Sequence, residues 1–299
     1  MASEILFPEL KFVQNDMTAA DITIRKKNFT LNVPEKGGDS FHGLTYWFDL
    51  VKRFALIRTL RGSDFRVNFS QSSICWRAFK KSSPEFARFI LRGRAISLIL
   101  PYLEPSLLLH SSVVVANGKG VGLCGDVGAG KTTLTAYFLN KGFSLLSDDL
   151  ALIHKKNGGF VLEPGSPEIR LWPEGARYLN LTGLKGKPLF PEVKKLRFDL
   201  TPTTRWRFVE RRVPLRRLYF LSRNKSKKID IKNLQNQEAL VEILRSAYNP
   251  FLKDPEILTQ QFEMTMQLME KIPIKRLSFP SGYAYLPKIH NAVLQDLES

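Results

Sequence analysis

Val113 to Ile153 reads VVVANGKGVGLCGDVGAGKTTLTAYFLNKGFSLLSDDLALI, and the rest of the chain is organised around it. At its centre Gly125 to Thr132, GDVGAGKT, fits the spacing G-x-x-x-x-G-K-[ST] of a phosphate-binding loop. Gly125, Gly128 and Gly130 let the backbone turn around an anion, because positive φ is cheap for a residue with no Cβ. The N–H groups of Asp126, Val127, Gly128, Ala129 and Gly130 then form a nest. A helix starting near Lys131 adds its unpaired first-turn amides, through Thr132 and Thr133, and the positive end of its dipole. In such a loop Lys131 reaches the β- and γ-phosphates and Thr132 ligates Mg²⁺. The flanks agree with the motif: Gly120–Cys124 is a short apolar run expected as a buried strand, and Leu134, Tyr137 and Phe138 mark one face of a helix stopped by Gly142. A glycine-rich surface turn with an incidental lysine is the plainer alternative, and eight matched positions between strand and helix weigh against it.

After Gly142, Phe143–Leu146 is expected as a second strand, ending in the paired acids Asp148 and Asp149. Carboxylates at the carboxyl end of a strand beside such a loop stand where α/β sheets place their ligands. One can hold Mg²⁺ while the other orients or deprotonates a hydroxyl, and two adjacent negative charges raise the pKa of at least one. Asp-Asp is also an ordinary turn pair. Its place after the loop and helix favours the chemical reading.

Taken together, His110 before an apolar strand, GDVGAGKT, and LNKGFSLLSDDLALI from Leu139 to Ile153 resemble the nucleotide-binding core of the HPr kinase/phosphorylase family. PGSPEIRLWPE, from Pro164 to Glu174, is similar to the segment after the acids in smaller HPr-kinase-like proteins, which include kinases of peptide precursors. The resemblance is specific from His110 to Glu174, weaker to the C-terminus and slight before Ser106. It implies an α/β fold whose core is a P-loop kinase domain of the HPr kinase and phosphoenolpyruvate-carboxykinase class, with a mixed sheet. It also implies ATP and Mg²⁺ as cofactors, Asp148 as the proton-handling acid, Asp149 and Thr132 at the metal, and His110 tuning the aspartate. Three departures stand out: Val127 replaces a small polar residue, Ser111 replaces a glycine after the histidine, and the glycine-rich signature of phosphorolysis is missing. What remains implied is transfer of the ATP γ-phosphate to a hydroxyl, foremost a serine of a peptide or protein, rather than the reverse reaction; a small-molecule hydroxyl kinase and a non-catalytic nucleotide-binding regulator are the alternatives.

The 299 residues suffice for two domains, expected at 1–105, an α+β region for substrate recognition, and 106–299, the catalytic domain. Hydrophobic content of 43% and charged content of 24% are those of an ordinary globule. Lys+Arg of 45 against Asp+Glu of 28 leaves +17, which implies anionic partners: a nucleotide, and with it an acidic peptide, nucleic acid or an anionic membrane surface. Two cysteines, Cys75 and Cys124, point to a reduced cytoplasm rather than a disulfide framework. The most apolar stretch, Ala95–Leu109, is broken by Pro101, Glu104 and Pro105, so no transmembrane segment is expected. Charge alone does not favour nucleic acid, and a homo-oligomer is compatible with the sequence.

Before residue 106, short strands are expected at Ile22–Ile24, Thr30–Val33, Phe65–Phe69 and Ser73–Phe79, with a polar glycine loop from Glu35. An amphipathic helix is expected over Phe48–Ile57, and another capped by Ser83-Pro84. His42 stands alone. Cys75-Trp-Arg-Ala-Phe-Lys-Lys suits a solvated face over buried Trp76 and Phe79 better than a nucleic-acid surface. After Asp149, Ala151–His154 and Gly159–Leu162 flank the hairpin signal Asn157-Gly158. That hairpin returns Arg170 toward the acids, either to neutralise a transferred phosphoryl group as a planar donor or to serve as a carboxylate-paired structural arginine. Leu179–Lys195 suits a mobile loop for substrate access. Arg211 and Arg212, before the strand Arg217–Leu221, suit a solvent-facing basic edge better than an approach to phosphate, and Ser222 to Lys228 is expected as solvated basic turn. Helices are expected at Gln237–Tyr248, after Asp254-Pro255 with a core-filling methionine face, and from Pro287, with a strand at Lys275–Phe279.

Overall fold

Apolar and polar side chains alternate along much of residues 44–78, and a period of two puts successive residues on opposite faces of a sheet. The computed structural model describes residues 22–26, 29, 38–41, 43–60, 63–78, 83–181, 184–189, 193–200, 205–248 and 252–299. In it β1 (Thr23–Lys26), β2 (Asp39–Phe41), β3 (Leu44–Asp49), β4 (Phe54–Thr59), β5 (Ser63–Asn68) and β6 (Ser73–Ala78) form one sheet in the order β1-β6-β5-β4-β3-β2. Tyr46, Ile57, Phe65 and Trp76 are register partners across four strands, and all are buried. Ser83 caps α1 (Pro84–Ile90) by accepting from the Phe86 N–H at 3.0 Å. The helix passes through a π-helical turn, Leu91–Ala95, into α2 (Ile96–Leu103). The described residues of 1–105 and 249–259 make one compact unit, and those of 106–248 and 260–299 a second.

The helix expected over Phe48–Ile57 does not form. Leu50, Val51, Phe54 and Ile57 have helical spacing, but residues 50–53 turn the chain, Arg53 takes φ of 50°, and β4 runs back antiparallel along β3. Pairing buries Ala55, Leu56 and Ile57 together and leaves Val51 95% exposed. Thr30–Val33, the glycine loop from Glu35 to Gly37, His42 and Phe79 lie outside the described residues.

The second unit is built on β7 (Ser106–Leu109), β8 (Ser111–Ala116) and β9 (Lys119–Cys124), followed by α3 (Lys131–Asn140) and β10 (Ser144–Ser147). A hairpin of β11 (Ala151–Lys156) and β12 (Gly159–Leu162) comes next, then β13 (Glu168–Leu171), α4 (Pro173–Tyr178), β14 (Lys187–Pro188), β15 (Leu196–Asp199) and β16 (Arg207–Phe208). The chain closes with β17 (Val213–Asn224), β18 (Asp230–Asn233), α5 (Asn236–Arg245), α6 (Pro255–Lys271), β19 (Ile274–Pro280) and α7 (Leu286–Glu298). The large sheet is mixed, in the order β16-β10-β8-β9-β17-β12-β11-β7, with β19 also pairing β17. Strands β9 and β19 both run parallel to β17, so β17 lies inside the sheet and not at the basic edge expected for it. Its alternation buries both faces: Val121, Leu123, Tyr219 and Leu221 pack with α3 and α7, while Cys124, Leu218 and Phe220 pack with α5 and α6. Asn157 and Gly158 take φ of 50° and 73°, as an Asn-Gly hairpin requires. On α5 the buried residues are Ala239 and Ile243, with Val241 and Leu244 exposed, and on α6 Met264 fills the core but Met266 does not.

Asp296 ties α7 to the sheet. It accepts from Tyr219 Oη and from Lys275 Nζ, each at 2.6 Å, and pairs with the buried Arg217 guanidinium. Burial alone would raise the Asp296 pKa, but these donors and the Arg217 charge hold it below the usual carboxylate range. A folded-state pKa below the unfolded one gives stability that is present above the unfolded value and lost as pH falls through the folded one. Asp296→Asn is therefore expected to lower the urea-unfolding free energy by about 3 kcal/mol at pH 7. The gap from the unaltered chain should shrink below about pH 4.

Candidate functional site

β9 ends at Cys124 and α3 begins at Lys131, so residues 125–130 carry the chain from sheet to helix. Gly125, Gly128 and Gly130 take φ of 141°, 87° and 101°, conformations that side chains with a Cβ resist. Asp126, Val127 and Gly128 form the exposed tip, with Val127 81% exposed and unpacked. The Ala129 N–H closes the turn on the Asp126 carbonyl at 3.1 Å. Gly130 offers α3 no capping side chain, so the amides of its first turn, including those of Thr132 and Thr133, lack intrahelical partners. Lys131 is buried, and its ammonium donates back to the carbonyls of Gly125 (2.6 Å) and Asp126 (3.2 Å). Desolvation lowers its pKa, and the charges of Asp149 and Asp148 act against that shift.

The acids follow β10, which lies beside β8, and β8 lies beside β9. That order brings the first turn of α3 to the end of β10. Asp148 Oδ1 accepts from Thr132 Oγ1 at 3.2 Å and from Ser112 Oγ at 2.6 Å, and its Oδ2 accepts from the backbone N–H of Arg170 at 3.1 Å. Desolvation, and then the neighbouring charge of Asp149, raise the Asp148 pKa, while the Ser112 bond and the charges of Lys195 and Arg170 lower it. Asp149 sits differently. Its φ is 82°, in the left-handed region that aspartate seldom enters. One carboxylate oxygen is 3.3 Å from His110 Nδ1, the other 3.3 Å from Arg170 Nη1, and the side chain keeps a third of its surface exposed.

His110 thus meets Asp149, whereas the resemblance implied a histidine beside the proton-handling Asp148. Its ring nitrogen also lies 3.0 Å from the Asp149 carbonyl, and its backbone N–H donates to Ser246. Arg170 comes from β13. Its Nε and Nη2 both reach Glu168 Oε1, at 3.0 and 2.7 Å. Burial draws the Arg170 pKa down, but the negative charges of Glu168 and Asp149 more than offset this and hold it above the usual value. Arg212 pairs with Glu163 instead of approaching the loop. Leu179–Lys195 contains β14, paired to β15, and Lys195 from this stretch acts electrostatically on both Lys131 and Asp148.

Sequence reasoning missed two participants, Ser112 and Glu168. Ser112 is the second of two serines that open the otherwise apolar strand β8, and Glu168 stands two residues before Arg170, on the same face of β13. Both patterns were visible, but neither carries chemistry until the partner strand is known. Cys124 is buried, its thiol pushed up to about 11 by desolvation, and it is packed in the core.

No protein-family model matches the chain, and no curated protein matches its sequence. Among solved structures it is similar to the Hpr(Ser) kinase/phosphatase from Coxiella burnetii, at 14% identity and a TM-score of 0.31, over 64% of this chain and 97% of that one. A likeness that loose carries no argument. Among the described residues, no helix is long and apolar enough to cross a membrane.

Ser112→Ala removes the shortest bond to the Asp148 carboxylate and nothing charged. A ¹³C titration of the aspartate carboxyls should show Asp148 protonating at higher pH in the variant. An unchanged titration would mean that the hydroxyl does not hold the ionised acid.

Proposed function

We propose that this chain is an ATP- and Mg²⁺-dependent phosphotransferase that moves the γ-phosphate to a hydroxyl, most readily a serine of a peptide or protein. One observation carries the reading: the 3.2 Å hydrogen bond from Thr132 to Asp148, which joins the start of the loop's helix to the acid pair. A hydroxyl and a carboxylate that close form a hard, all-oxygen donor set, the kind Mg²⁺ selects. The three left-handed glycines and the uncapped first turn of α3 supply amides for the phosphates beside it. Bound there, Mg²⁺ would be held by Thr132 and Asp148 and would neutralise charge on the phosphates.

The two acids then take separate parts, reassigned from the order the resemblance implied. Asp148 is ringed by three donors and abuts the metal-side hydroxyl, which suits a fixed ligand. Asp149 is open to solvent on one side and held by His110 and Arg170, which suits a proton acceptor that an incoming hydroxyl can reach. Lys131 would leave its loop carbonyls for the β- and γ-phosphate oxygens, and Arg170 would keep the Asp149 carboxylate aimed. The acceptor's hydroxyl oxygen attacks the γ-phosphorus, the bond to the β–γ bridging oxygen breaks, and ADP leaves with that oxygen while Asp149 takes the hydroxyl proton. The choice of a peptide acceptor rests on the resemblance of residues 164–174 and on the net charge of +17. A small-molecule hydroxyl would use the same residues.

Asp149→Asn should lower turnover by about 10²- to 10⁴-fold with ATP affinity nearly unchanged. Asp148→Asn should instead raise the Mg²⁺ concentration needed for half-maximal rate. Both are read from labelled ATP with phosphopeptide mass spectrometry on a cell extract. Full turnover by Asp149→Asn would return the proton-accepting part to Asp148. Absence of any phosphorylated product from the unaltered chain would remove the kinase reading.

A further inference from the structure

The basic run from Ser222 to Lys228 looks like solvated turn in the sequence, yet its first arginine is held in place. Arg223 and Asn224 are the last residues of β17, in parallel register with Phe279 and Pro280 of β19. The Arg223 guanidinium lies 4.5 Å from the centre of the Phe279 ring, and its Nη1 donates to the Pro280 carbonyl at 3.1 Å. Its Nη2 is aimed the other way, at the phosphate-binding loop: a Cβ added to Gly130 would stand 2.7 Å from it. Strand β17 flanks the loop at both ends, since a Cβ on Gly125 would lie 3.1 Å from the Leu221 carbonyl. Gly130 is required for its φ of 101°, and a side chain there would also push the guanidinium from its present place against the loop.

The charge balance around this arginine is unlike that around Arg170. Arg170 is neutralised by Glu168 and Asp149. Among the described residues no carboxylate pairs with Arg223, and desolvation alone acts on its pKa, lowering it. The cation is set beside the positive end of α3, where the helix dipole repels it. The Phe279 ring and the Pro280 carbonyl hold the guanidinium there without neutralising its charge, and an anion in the loop turns the repulsion into a shared attraction.

We propose that Arg223 is a phosphate-binding residue whose Nη2 edge donates to a non-bridging oxygen of the nucleotide's polyphosphate. The inference rests on reading residues 125–133 as a polyphosphate site and adds a clamp that the loop motif does not contain. In the sheet order β10-β8-β9-β17, the acids come from one side of β9 and Arg223 from the other. The polyphosphate would therefore lie between a carboxylate-and-metal wall and a guanidinium wall. With Nη1 fixed on the Pro280 carbonyl, the rigid guanidinium plane aims its Nη2 edge at a phosphate oxygen, a direction that a freely rotating ammonium does not hold.

Calorimetric titration of Arg223→Ala, Arg223→Lys, Lys131→Ala and the unaltered chain with ATP, AMP and inorganic tripolyphosphate tests this. For Arg223→Ala, affinity for ATP and for tripolyphosphate should fall together by about 10- to 100-fold, the worth of a charge-assisted bond. AMP should change little, and Arg223→Lys should lie between. Unchanged affinity for tripolyphosphate overturns the proposal, whether ATP binding is kept or is lost through a contact to the base. If Lys131→Ala loses ATP while Arg223→Ala keeps it, the clamp fails and the loop reading stands. If the unaltered chain binds neither ATP nor tripolyphosphate, both fail. Circular dichroism on each variant separates lost binding from lost folding, and Arg223→Lys, which keeps the charge on a flexible apolar stem, carries the test if the alanine variant does not fold.

Discussion

The hydroxyl of Thr132 and the carboxylate of Asp148 meet only because β8 is laid between β9 and β10, and the arrangement of the site depends on that contact. Fifteen residues of intervening chain, Thr133 to Ser147, leave the sheet as α3 and return as β10, and a different strand order would separate the glycine loop from the acids. The same order places Ser112, the second residue of β8, against the Asp148 carboxylate, so the strand that spaces the two also supplies the donor that steadies the charge. Strain and charge accumulate here: Asp149 is left-handed, Lys131 is desolvated, and two acids adjoin. Such features reduce stability and persist where the surrounding core enforces them. Here the enforcement comes from both buried faces of β9 and β17.

The elements of the second unit were legible in the sequence where punctuation and periodicity agreed. Gly142 ended α3, Asn157-Gly158 made its hairpin, and Pro255 opened a helix. The failure at Phe48–Ile57 is instructive because the pattern there satisfied helical spacing and strand alternation at once. What decided it was non-local: Tyr46, Ile57, Phe65 and Trp76 find each other across four strands, and no window of one strand contains that information. The interior position of β17 was hidden for a related reason. Arg211, Arg212, Arg216 and Arg217 suggest an exposed edge, but Arg217 is buried against Asp296, seventy-nine residues later.

The candidate site was legible as a set of residues and not as a set of contacts. The glycine loop, Lys131, Thr132 and the acid pair carry their own spacing, so they could be named from the chain alone. Which acid faces the hydroxyl and which faces the histidine depends on the backbone at Asp149, and no sequence pattern marks a left-handed aspartate. Glu168 and Arg223 escaped notice for opposite reasons: one is buried beside an arginine that drew attention first, the other belongs to a run of cations that resembles plain surface. The two arginines differ in whether an acid accompanies them, and that difference appears only in three dimensions.

The central claim is spatial, that one polyphosphate lies along residues 125–133 with its terminal phosphate facing the acid pair. A crystal structure of the chain with Mg²⁺ and a non-hydrolysable ATP analogue tests it most directly. The account predicts density for the triphosphate on the loop amides, the ion between Thr132 and Asp148, and the γ-phosphate turned toward Asp149. Nucleotide bound elsewhere, or a γ-phosphate directed away from both carboxylates, would contradict it.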